Sequence, residues 1–233
     1  MPEATRLSYL NFKGSIPIRA PALNRIESTC IGFVLIEMEA LFPLPENVFT
    51  LREGVAADKF GPRRRKSFTA ARVALKDLAC KLGLVEADTR PCHIETLAQD
   101  GIRPVLPASE VYCSVSHDDI FVVAVANDKP VGVDIEPISY KALKGWHIFM
   151  SLPEQSLISK TDLGTDRTVV RAWTMKEAAA KALDLDLFQA WREVQVLRIG
   201  AEKSLARVKG RETPFIHLEI QGHVLSLITF DEV

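Results

Sequence analysis

The order of elements readable along the chain predicts an α+β fold. Two stretches, 62–82 and 166–183, carry a helical period, and short alternating stretches lie before, between and after them. Strands and helices come in groups, without the strict βαβ alternation that builds a parallel sheet. The 233 residues, 47% apolar and 25% charged, suffice for one large domain or two small ones with real cores. Two helix-plus-sheet halves are visible, with a boundary near Asn127–Pro130, so the expected division is 1–127 and 128–233.

Residues 1–30 show little period and several prolines, and are read as irregular. Cys30–Met38 is an apolar run of strand length, and Pro43 and Pro45 interrupt regular structure just beyond it. Pro62 suits a first helical turn, Phe68, Leu75, Leu78, Ala79 and Leu82 make an inner stripe, and Gly83 is a natural stop. Arg63, Arg64, Arg65 and Lys66 crowd the first turn of that helix, against its dipole. A bound anion would relieve that conflict, whereas a solvated basic face is the plain reading.

Residues 91–110 are loop-like. Val111–His117 alternates apolar and polar residues, and Phe121–Ala126 is a second strand. In Val131–Glu136, Val131, Val133 and Ile135 face one way and Gly132, Asp134 and Glu136 the other. Thr165 or Asp166 caps the second long helix, on which Trp173, Glu177 and Lys181 share a face. Short strands come next at Val194–Ile199, Phe215–Ile220 and Val224–Phe230, with Gln221-Gly222 turning the last two into a hairpin.

Charge excludes one class of function. Lys plus Arg number 29 against 30 Asp plus Glu, so there is no global cationic field for nucleic acid and any anion site is local. No apolar run approaches the ~20 residues that span a bilayer. Met1-Pro-Glu-Ala-Thr does not open as a secretion signal does. Four widely spaced cysteines without C-x-x-C fit a reducing cytoplasm better than a zinc site or disulfide scaffold.

Asp134 and Glu136 put two carboxylates on one strand face, ~6.6 Å apart along it. Such a pair suits Mg²⁺, and it also suits an exposed strand face carrying two acids by chance. Glu177 and Lys181 are equally an ordinary helix-surface pair, adding about 0.2–0.5 kcal/mol. His117 closes a strand and by itself reads as structural.

Taken in chain order, these residues resemble the Sfp/enterobactin-synthetase class of 4′-phosphopantetheinyl transferases. Val131–Glu136 is similar to that family's G-I/V-D-I/V-E block. Trp173-Thr-Met-Lys-Glu-Ala-Ala-Ala-Lys181 is similar to its W-S/T-x-K-E-A/S-x-x-K block. Arg103-Pro-Val-Leu-Pro through Ser114-Val-Ser-His117 is similar to its P-x-x-P…S-I/V-S/T-H stretch. Cys113 departs from a common glycine and Leu106 from a common tryptophan, neither removing a charge. The resemblance runs from about Lys59 to Lys181.

The resemblance implies a pseudo-dimeric fold of two similar helix-plus-antiparallel-sheet halves, with the active site at their junction. It implies transfer of the phosphopantetheine arm of coenzyme A to a serine of an apo acyl or peptidyl carrier protein, releasing adenosine 3′,5′-bisphosphate. Asp134, Glu136 and Glu177 then form a Mg²⁺ site (Mn²⁺ as a substitute), and Lys181 stabilises the leaving bisphosphate. Glu177 is the family's usual general base, with a water activated by Glu136 or Asp134 as the competing assignment. Ser116, His117, Arg64, Arg72 and Arg103 hold coenzyme A, and Lys176 supports it. Trp146, Ile148, Phe149 and Met150 line a carrier groove or simply pack in the core. The implied protein is a cytoplasmic monomer without membrane insertion. The alternative is a non-catalytic coenzyme A or nucleotide binder of the same fold.

Overall fold

The computed structural model describes residues 30–41, 47–86, 88–139 and 143–230. The irregular start expected over most of residues 1–30, and the breaks at Pro43 and Pro45, lie outside the described residues. The chain divides into two compact units after Asp128. No helix among the described residues is long and apolar enough to cross a membrane. All four cysteines are free thiols.

The first unit is a three-stranded antiparallel sheet, order β1-β3-β2, from β1 (Gly32–Glu37), β2 (Tyr112–His117) and β3 (Phe121–Asn127). Helix α1 (Leu51–Ala57) starts at a capping box, Thr50 with Glu53. Helix α2 (Pro62–Lys81) comes after it, Pro62 in its first turn. Its Ala70, Ala74, Leu75 and Leu78 are buried in one cluster with Val34 and Ile36 of β1 and Val122 and Ala124 of β3.

The second unit is a five-stranded antiparallel sheet, order β4-β8-β7-β6-β5. Its strands are β4 (Val131–Pro137), β5 (Val194–Arg198), β6 (Lys203–Val208), β7 (Arg211–Ile220) and β8 (His223–Thr229). Two single-turn helices, α3 (Trp146–Phe149) and α4 (Leu152–Gln155), precede the long α5 (Thr165–Leu183), and α6 (Leu187–Glu193) comes after it. Ala172, Met175, Ala178 and Ala179 of α5 pack with Phe215 and Ile228 of the sheet. The β7–β8 turn has positive φ at Gln221 and Gly222, as a two-residue hairpin requires.

Helices α1, α3, α4 and α6 and strand β6 have no counterpart among the elements the sequence pattern predicts. Each is short, and its apolar positions are too few to set a period.

The two units repeat one buried device. In the first, Glu53 at the third position of its capped helix accepts from Lys76 of α2 and from the Thr96 backbone N–H. In the second, Glu154 at the third position of a capped helix takes the Lys176 ammonium at 2.9 Å and the Val196 N–H at 2.8 Å. Both ion pairs are almost fully buried, with every partner 1% exposed or less. An offset of one hundred residues relates Lys76 to Lys176, Lys81 to Lys181 and Gly32 to Gly132. Strand order agrees as well, β1-β3-β2 matching β4-β8-β7.

Candidate active site

Gly132 explains how the acidic strand meets the helix. A Cβ there would overlap the Ala178 carbonyl of α5, so the two backbones touch. Side chains two and four residues along leave the same face. Asp134 and Glu136 therefore share with Gly132 the face on which α5 packs. Asp134 is buried, and Glu136 is partly buried.

Helix α5 supplies the opposing groups. Lys181 donates to Asp134 Oδ1 at 2.8 Å and to the Val133 carbonyl at 3.1 Å. Glu177, one turn earlier, is close enough to feel both Asp134 and Lys181. The Trp173 side chain donates to Glu136, fixing that carboxylate from the same helix. The Trp173 ring also packs edge-on against Phe149, with centroids 5.0 Å apart.

Electrostatics ties the three acids together. Burial, then the Asp134 charge, pushes the Glu177 carboxyl up to about 7. Glu136 is likewise raised to about 7, by burial first, then by Asp134 and Glu177, against the Trp173 hydrogen bond and Lys181. Carboxyls held near neutrality by burial and like charge are typical of functional sites.

Among the described residues no three or more His, Cys, Asp or Glu side chains are placed so that they could together hold a metal ion. The donor chemistry nevertheless fits a hard divalent cation. Three carboxylates supply oxygen ligands, and the repulsion that raises Glu136 and Glu177 is what a cation would relieve. Asp134, Glu136 and Glu177 are the residues that would hold it.

The first unit carries a basic cavity of about 530 Å³. Arg63, Arg64, Arg72 and His117 line it together with Phe60 and Phe68. Arg64 stacks over Phe60 at 4.4 Å and Arg72 over Phe68 at 5.0 Å. Arg72 is buried, donates to the Thr96 carbonyl, and has its pKa lowered by burial, partly offset by Glu53. Arginine planes on aromatic rings can grip a phosphate and a flat base.

The remaining expected residues lie elsewhere. Ser116 is buried on the opposite face of β2 from exposed His117. Arg103 is held by Asp100 at 2.6 Å and does not line the cavity. Lys176 is fully buried against Glu154 and the Trp191 carbonyl, so its ammonium does not join Lys181 among the carboxylates. Phe149 and Met150 are buried, while Ile148 is 63% exposed. Sequence reasoning does not identify Trp173 as a partner of Glu136, although its four-residue spacing from Glu177 is the signal that could.

No curated protein matches the chain. Residues 130–228, less than half the chain, match the family model of the 4′-phosphopantetheinyl transferase superfamily, and that stretch holds Asp134, Glu136, Glu177 and Lys181.

Proposed function

We propose that the chain transfers the 4′-phosphopantetheine arm of coenzyme A to a serine of an apo carrier protein, as an Sfp/enterobactin-synthetase type enzyme. The observation that carries this reading is the convergence of Asp134, Glu136, Glu177 and Lys181 within the matched stretch. We further read the two units as a duplicated, pseudo-dimeric chain. The one-hundred-residue offset and the repeated Glu–Lys device support that reading. A monomer acting in the cytoplasm is the form this implies.

Glu177, whose carboxyl burial and the Asp134 charge raise to about 7 before any cation is bound, is the carboxylate we assign to take the proton of the attacking serine hydroxyl. The serine oxygen then forms its bond to the β-phosphorus. The bond from that phosphorus to the bridging oxygen breaks, and adenosine 3′,5′-bisphosphate leaves with the electron pair. Lys181 lies one turn from Glu177 and offers its charge to the leaving group. A Mg²⁺ ion, when bound by the three acids, neutralises pyrophosphate charge. In the first unit, Arg64, Arg72 and His117 suit the adenine and 3′-phosphate of coenzyme A.

The test is direct. The protein is mixed with Mg²⁺, coenzyme A and an apo carrier protein, and the carrier is weighed by mass spectrometry. The expected result is a carrier heavier by one phosphopantetheine. An unmodified carrier, with coenzyme A still bound in calorimetry, overturns the reading in favour of a binding protein.

A further inference from the structure

A buried polar row crosses the second sheet beneath α5. Ser204 of β6 meets His217 Nε2 at 2.6 Å, and His217 Nδ1 meets the Ser226 hydroxyl at 2.8 Å. Ser226 meets Thr174 Oγ1 of α5 at 2.6 Å. The far end is tied down by the Gly200 N–H, which donates to Ser204 Oγ. All four residues are 2% exposed or less. A neutral imidazole satisfies both neighbours, one ring nitrogen donating and the other accepting.

The row ends beside the carboxylates. Ser226 lies directly opposite Asp134 in the β4–β8 pair, so both side chains leave the same face. Thr174 is one turn before Glu177. The row therefore links the strand next to Asp134 with the helix that carries Glu177 and Lys181.

The first unit shows that the architecture does not need these polar groups. There Val34 pairs with Ala124 as Asp134 pairs with Ser226, and Val115 pairs with Ala124 as His217 pairs with Ser226. Ala74 stands at the offset position of Thr174. The first unit thus fills the same place with Val34, Ala74, Val115 and Ala124, all apolar. Apolar residues of matching shape are neutral or stabilising replacements for a buried hydrogen-bonded group. The polar version occurs in the unit with three carboxylates.

Its physical effect is on register. Where α5 meets the sheet, many of its contacts are small, with Ala172, Ala178 and Ala179 buried beside the larger Val169 and Met175, and apolar packing is non-directional. A slip of one residue swings a helical side chain by ~100°. Hydrogen bonds between buried groups have preferred lengths and angles and resist such a slip.

We propose that Thr174, Ser226, His217 and Ser204 are positioning residues that fix the register of α5 on the sheet, and so set the spacing of Glu177 and Lys181 from Asp134 and Glu136. The inference rests on the transferase reading above. Its test is the triple variant Thr174→Ala, His217→Val, Ser226→Ala, which copies the first unit. Mn²⁺ affinity is read by the paramagnetic resonance of free Mn²⁺, alongside carrier modification and melting temperature.

The expected result is a folded protein whose Mn²⁺ affinity falls at least fivefold and whose kcat falls at least tenfold, with the KM for coenzyme A little changed. Thr174→Val alone should weaken Mn²⁺ binding in the same direction, and Thr174→Ser, which keeps the hydroxyl, should restore it. If the triple variant does not fold, the Thr174→Val and Thr174→Ser pair decides. Wild-type Mn²⁺ affinity and turnover in Thr174→Val overturn the inference and leave the transferase reading standing. A wild-type protein that neither binds Mn²⁺ nor modifies the carrier overturns that reading, and this inference with it.

Discussion

The Ala178 carbonyl oxygen occupies the place where a side chain on Gly132 would begin. At the offset position in the first unit, a Cβ on Gly32 would meet only the side-chain tips of Leu78 and Leu82, at 2.8 and 2.9 Å. Backbone cannot yield as a leucine tip can. Gly132→Ala should therefore cost about 1–3 kcal/mol as an overpacking change and push α5 off β4. Gly32→Ala should cost clearly less. Denaturant melts of the two variants check the order, and equal losses would contradict it.

Asp134 raises the carboxyls of both Glu136 and Glu177. Asp134→Asn removes that charge while keeping the shape. Both glutamates should then titrate below their value of about 7. Carbon NMR of labelled glutamate carboxyls measures this, and unmoved titrations would place Asp134 out of range. On the transferase reading transfer should be lost as well, since a charged oxygen donor has become a neutral amide.

Glu177 illustrates the conflict between stability and chemistry. Its folded pKa lies above the unfolded value, so its contribution is favourable below about pH 4.5 and is lost as pH rises through about 7. Glu177→Gln removes a desolvated charge and should raise stability by about 2 kcal/mol at pH 8. The gain should vanish by pH 4. Carrier modification by this variant should fall to background. A less stable Glu177→Gln protein at pH 8 would refute the account.

His217 works in the opposite sense. Burial, helped by the Arg171 charge, pushes its imidazole down to about 3. A group depressed in this way is neutral in the folded protein, and its contribution is intact above the unfolded value near 6.5. It is lost as pH falls from there towards 3, by about 2 kcal/mol between pH 7 and 5. Glu136 and Glu177 run the other way over the same range, so wild-type stability alone is not the measure. The difference between wild type and His217→Gln should shrink by that amount on going from pH 7 to 5. A difference that does not change with pH would mean the imidazole takes up its proton as readily in the fold as in the unfolded chain.

Lys176 is buried with Glu154 in a pair that is 1% exposed on each side. Removing one member of such a pair leaves an uncompensated charge. Lys176→Met should cost about 3–5 kcal/mol, seen as a lower melting temperature. Lys181→Met should cost less, because the lysine side chain is 30% exposed although its partner Asp134 is 5% exposed. Equal melting temperatures for the two variants would contradict the assignment.

The two long helices and seven of the eight strands were legible because each has a clear period or alternation. Residues Gly132, Asp134 and Glu136 were legible as one face for the same reason. The likeness of the two units was not. Only a few identities, such as Lys76 with Lys176, survive the offset of one hundred, which sets Val34 against Asp134, and Val115 corresponds to His217 only through strand register. The Glu53–Lys76 and Glu154–Lys176 pairs were hidden because partners far apart in sequence carry no local period. Ser204, His217 and Ser226 did leave a trace, as polar residues at inward positions of otherwise apolar strands.

The stapled glutamate and lysine present in both units separate what the scaffold demands from what the chemistry demands. Positions that agree between the units, such as the stapled pair and the glycine under the helix, are the frame. Positions that differ, an aliphatic side chain in one unit and an acid, imidazole or hydroxyl in the other, mark polar groups that the frame by itself does not call for.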